Sequence, residues 1–99
     1  MTEIRCKRVM FYSKGDEDMF FGWAQKNSAI KKVFGEIDEI ILSIQSTSID
    51  DTSLRELIAL LHRYNLPLKQ LAVFKNANNQ AWFYDENKFW HDEVFASNG

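Results

Sequence analysis

Two histidines, one cysteine and several adjacent carboxylates are the groups in this 99-residue chain that could do chemistry. A Cys–His nucleophile needs a thiol within hydrogen-bond reach of an imidazole. Nothing around Cys6, His62 or His91 carries a local signature for that arrangement. A metal site needs several ligands at characteristic spacing. His62 falls on the polar side of a helical stretch, His91 sits beside Asp92 and Glu93, and Cys6 is remote in sequence from both. Asp38-Glu39 and Asp85-Glu86 are neighbouring carboxylates, but a strand sends neighbours to opposite faces, so neither makes a good acid/base pair. Gly15, Gly22, Gly35 and Gly99 are scattered and form no phosphate loop. The expectation is a protein that is not an enzyme and holds no metal or cofactor, with Cys6 a small buried thiol.

What remains is contact chemistry. The net charge of −2 hides a segmental pattern: residues 1–14 sum to +3, 15–51 to −5, 52–75 to +3 and 76–99 to −3. Acidic stretches disfavour phosphate backbones and steer cationic partners. Asp16, Glu17, Asp18, Glu36, Asp38 and Glu39 are expected to form one acidic patch. Asp85, Glu86, Asp92 and Glu93 are expected to form a second, with Trp90 as an aromatic anchor. The run Trp82 to Phe95 concentrates six aromatic rings and four carboxylates. Large rings dominate both core and interface energetics, so Trp82, Tyr84 and Trp90 each have core packing as the competing role. Arg5, Lys7 and Arg8 followed by Phe11 and Tyr12 offer an alternative, stacking on single-stranded nucleic acid. The sequence pI near 5.6 argues against that footprint, and no nucleic-acid partner is expected.

The elements that must position these groups form a single domain over 1–99, large enough to fold alone. The longest apolar runs, such as Ile40-Ile41-Leu42, are too short to span a bilayer, and residues 1–8 lack the apolar core of a secretory signal. With a lone cysteine, this points to the cytoplasm and no membrane partner. Residues 4–12 read as a strand. Ser13-Lys14-Gly15-Asp16 breaks it, and the acidic trio starts a helix over about 16–27. Residues 28–45 fit a helical period through Ile30, Val33, Phe34, Ile37, Ile40, Ile41 and Ile44. Their β-branched content, with Gly35 and Asp38 as turn residues, favours a hairpin of 29–35 and 39–46.

Ser53-Leu54-Arg55-Glu56 has the form of a capping box with Asp50 and Asp51 upstream. Leu54, Leu57, Ile58, Leu61 and Tyr64 carry the helix to Asn65 and Pro67. Leu71 to Phe74 and Ala81 to Tyr84 flank Asn76-Ala77-Asn78-Asn79, a second hairpin signal. Asn87 to Phe95 closes the chain as a short helical or irregular segment. The predicted fold is α+β, order β-α-β-β-α-β-β, with a mainly antiparallel sheet and two helices on one face.

Three sets of residues carry a resemblance. They are Phe11-Tyr12-Ser13 with Asp16-Glu17 and Phe20-Phe21-Gly22-Trp23; Leu54 to Leu60 with Arg63-Tyr64; and Leu68 to Ala72 with Trp82-Phe83-Tyr84, Phe89-Trp90-His91 and Val94-Phe95. Together they resemble small bacterial proteins, some of which are immunity proteins of contact-dependent and related polymorphic toxin systems. The resemblance implies a protein that binds a cognate toxin domain, such as a basic nuclease, and masks its active site. It rests on core-like aromatics and leucines, so it transfers no binding residues. The alternative is a single-stranded nucleic-acid-binding or regulatory adaptor protein without a toxin partner.

Overall fold

Alternation of apolar and polar side chains builds the first element. In the computed structural model, which describes residues 2–45 and 49–96, strand β1 spans Thr2–Lys7 with Ile4 and Cys6 inward and Glu3, Arg5 and Lys7 outward. The strand ends earlier than the predicted 4–12. Arg8 takes a left-handed φ of 54° and donates its N–H to the Asp38 carbonyl at 2.9 Å, which turns the chain out of the ladder.

Helix α1 covers Lys14–Lys26 and starts at Ser13, whose Oγ accepts the Asp16 N–H at 3.1 Å. Asp16 and Glu17 occupy its first turn, where the helix dipole favours negative charge. Residues 30–44 form the hairpin and not the helix: β2 is Ile30–Glu36 and β3 is Glu39–Ile44. Residue 46, included in the predicted second strand, lies outside the described residues. Ile37-Asp38 makes the turn, with Asp38 at φ 64°, a conformation Asp tolerates better than most residues.

The three strands form one antiparallel sheet in the order β1-β3-β2. Register places Ile4, Leu42 and Val33 on one line across the inner face, and Arg5, Ile41 and Phe34 on the next line, across the outer face. A bulge leaves Lys31 unpaired at the start of β2.

Helix α2 is Asp51–Arg63. Its cap is Asp50, whose carboxylate accepts the Ser53 N–H at 2.7 Å, so Ser53 is the third helical residue and not the cap of a Ser53–Glu56 box. Ser53 is buried, where its hydroxyl lies 3.4 Å from that of Ser28. The helix stops in a Schellman arrangement: Asn65 takes φ 61° and donates to His62 O, while Leu66 donates to Leu61 O. Phe20 and Ala24 of α1, five residues of α2 from Leu54 to Leu61, and Ile4, Cys6, Ile30, Leu42 and Ile44 of the sheet share one core.

Residues beyond α2 depart from the predicted order. No second hairpin forms; Lys69–Phe74 is a 3-10 segment, Gln80–Phe83 is the short helix α3, and His91–Phe95 is α4. The reason lies in the asparagines. Asn76 Oδ1 accepts the N–H groups of Asn78 and Asn79, and Asn79 Oδ1 accepts the Asn76 N–H at 2.9 Å. Asn79, nearly fully buried, also donates to Phe74 O. None of Asn76 to Asn79 adopts the positive φ that a tight hairpin turn demands. Their backbone carbonyls instead receive Gln80 and Phe83 N–H groups and start α3.

Candidate functional site

One end of the molecule gathers three chain segments. β1 finishes there, the β2–β3 turn lies beside it through the Lys7–Glu39 register, and the loop from Arg8 to Ser13 leads to the first turn of α1. Around a depression of about 400 Å³ stand Arg8, Val9, Glu17, Phe21, Glu36, Asp38 and Glu39. Four of the six carboxylates expected in the first acidic patch are therefore neighbours in space. The other two stand apart. Asp16 accepts the Tyr12 N–H at 3.0 Å and lines a second, adjoining groove with Met10, Tyr12, Arg63, Tyr64 and Asn65. Asp18 pairs with Lys14 at 2.8 Å on the exposed flank of α1.

This end is also where apolar side chains remain uncovered. Ile37, between Glu36 and Asp38 at the tip of the hairpin, is 91% exposed. Tyr12 is 87% and Met10 64% exposed on the adjacent loop. Beneath them Phe11 turns inward, edge-on to Phe20 with ring centroids 5.6 Å apart and to Tyr64 at 6.1 Å. The loop is thus pinned by one half-buried ring while its neighbours on either side point out. Ile37 and Met10 were absent from the expected contact residues, and Tyr12 entered only as a ring of the nucleic-acid alternative. Ile37 fits the helical period of its segment as a core position, and only the hairpin geometry moves it to the turn. A β-branched apolar residue between two carboxylates at a turn was the available signal.

The second acidic group is not gathered in the same way. Asp85 accepts the Asn87 N–H at 2.9 Å and closes its own turn. Asp92 lies 3.1 Å from His91 Nδ1, and Glu86 and Glu93 are exposed. Trp90 does not present its ring. It is 8% exposed, donates its indole N–H to Phe83 O at 2.8 Å and stands edge-on to Trp82. Trp82 is itself covered by the Arg55 guanidinium, 4.0 Å from the ring centroid.

The catalytic candidates are dispersed. Cys6 is buried on the inner face of the sheet, where desolvation first and Glu39 second push its thiol up to about 12, so it stays protonated and a poor nucleophile. His62 stacks near Phe89 on α2, and His91 packs between Tyr84 and Phe95. Among the described residues no group of three or more His, Cys, Asp or Glu side chains could hold a metal ion. None of the described helices is long and apolar enough to cross a membrane. Of the basic residues near the N-terminus, Arg5 is committed to ion pairs with Glu3 and Glu39. Among the described residues the two histidines and the buried thiol are thus held in separate packing environments, while the hairpin end presents an acidic, partly apolar surface.

The chain matches no protein-family model, and comparisons with curated proteins and with solved structures return no significant match.

Proposed function

We propose that this chain is a protein-binding inhibitor of the immunity type, which docks its hairpin end onto a basic toxin domain in the cytoplasm and masks that domain's active site. In this reading both helices lie on the inner face of the sheet and leave its open end free for the partner. The observation that carries it is Ile37, an aliphatic side chain almost fully in water, flanked in the turn by Glu36 and Asp38 at the same end as the depression that Glu17 and Glu39 help to line. Exposing such a residue wastes burial that about 25 cal/mol per Å² would otherwise reward, which a docking partner recovers. A nuclease active site attracts phosphates, so carboxylates compete with its substrate and speed encounter. Met10 and Tyr12 extend the apolar part and slow dissociation.

Coproduction tests it. The product of the gene adjoining this one, expressed alone, should arrest growth; expressed with this chain, it should form a complex and leave growth intact. An adjoining product that is harmless, or that remains toxic and uncomplexed beside a folded chain, overturns the proposal.

A further inference from the structure

The free edge of β2 is self-complementary. β2 is an outer strand of the sheet, and its pairing with β3 uses the backbone groups of Lys32, Phe34 and Glu36. That assignment follows from β1, where Arg5 turns both its N–H and its C=O outward to the Gln70 side-chain amide, at 2.8 Å each. Ile4 must then face β3 and bond Leu42, which leaves Ile41 and Ser43 for β2. Val33 and Gly35 consequently direct their N–H and C=O groups away from the sheet. The two edges differ: Gln70 blocks β1 at Arg5, whereas among the described residues no side chain caps Val33 or Gly35. A Cβ built on Gly35 would meet nothing within 4 Å.

The side chains along this edge lack partners that a second copy would supply. In the sheet Glu36 stands directly opposite Glu39, a like-charge pair that disfavours the ladder. Glu39 is relieved by Arg5, while among the described residues neither Glu36 nor the exposed Lys32 has an ion pair. Now place a second β2 antiparallel to the first, with the two-fold axis through Phe34. Val33 and Gly35 of the two copies then bond reciprocally, the two Phe34 rings meet across the outer face, and each Lys32 faces the other copy's Glu36. Shifting the axis to Val33 or Gly35 loses both the charge pairs and the ring pair. The bulge at Lys31 lies outside the regular 32–36 run, so it does not disturb this register.

We propose that the chain forms a symmetric homodimer by pairing β2 with β2 in this register, joining two three-stranded sheets into one of six. The inference does not rest on the inhibitor role; of the hairpin-end carboxylates Glu36 alone enters the 32–36 pairing, and the turn residues Ile37 and Asp38 lie outside it.

Sedimentation equilibrium of the full chain from micromolar to millimolar concentration tests it, with circular dichroism as the check of folding. The wild type should self-associate to a dimer. Lys32→Glu and Glu36→Lys, each at an exposed position, should each weaken the dimer about tenfold or more, because two cross-strand attractions become repulsions. The double variant Lys32→Glu/Glu36→Lys should restore it. A wild type that stays monomeric at every concentration overturns the proposal. So does a dimer that the single charge reversals leave unchanged, or one that the double reversal fails to restore.

Discussion

The hairpin end and the C-terminal segment are both rich in rings and carboxylates, and they use them in opposite ways. From Trp82 to Phe95 four of the six rings turn inward, while Tyr84 and Phe89 stay partly in water. Phe83 is fully buried, Trp90 bonds Phe83 O, and Tyr84, His91 and Phe95 pack against one another. The carboxylates left over are local, closing a turn at Asp85 or flanking His91. At the hairpin end Tyr12 is left in water near Met10 and Ile37, and the carboxylates come from α1, β2, the turn and β3. Density along the chain does not become density on the surface. Convergence of distant segments made the acidic end, while a contiguous aromatic run made core.

Substitutions can break or sharpen this contrast. The largest effect belongs to the C-terminal segment. Phe83→Ala leaves a cavity in the core and should cost about 3–5 kcal/mol in urea denaturation. A loss under 1 kcal/mol would place that ring outside the core. Next comes Asn79→Ala, which strands the Phe74 carbonyl and the Asn76 N–H in a buried turn and should cost about 1–3 kcal/mol by the same measurement.

Asp50, the cap of α2, gives a reference outside both regions. Hydrogen bonding to Ser53, its backbone N–H first, holds the carboxyl below its usual value. Because the folded value is the lower one, the stabilisation is present above the unfolded value near 3.8 and is lost as pH falls through the folded one. Asp50→Ala should lower the denaturation midpoint at neutral pH, with the gap to wild type closing in acid. A gap that is constant with pH would contradict the cap. The smallest effect on stability is at the hairpin tip. Ile37→Ser should shift stability by no more than about 0.5 kcal/mol, and thermal denaturation indistinguishable from wild type is the expected record.

This contrast also marks where the sequence was legible. The first five elements follow from local chemistry: alternation in β1, Ser13 and the acidic turn before α1, β-branched residues about Asp38, and the leucine spacing of α2. Boundaries moved where a single backbone interaction decided them, at Arg8 through the Asp38 carbonyl and at Asp50 through Ser53. The last third misled because Leu71 to Phe74 and Ala81 to Tyr84 around asparagines look like a hairpin. Leu68, Leu71 and Phe74 are buried at a spacing of three, the period of a 3-10 turn, which alternation conceals. Of the candidate site, the acidic residues were readable from charge, but their company was not. Ile37 becomes a surface residue only once the hairpin places it at the tip.

One measurement separates the two regions most directly. The chain would be coproduced with the product of the gene beside its own, the toxin that the proposal requires, as wild type, as Ile37→Lys/Asp38→Lys, and as Glu86→Lys/Glu93→Lys, with growth as the readout. Protection by the wild type and by the C-terminal variant, and its loss in the hairpin variant at equal folded abundance, is the predicted result. A hairpin variant that still protects, beside a C-terminal variant that fails, would contradict the assignment of the contact surface to the hairpin end.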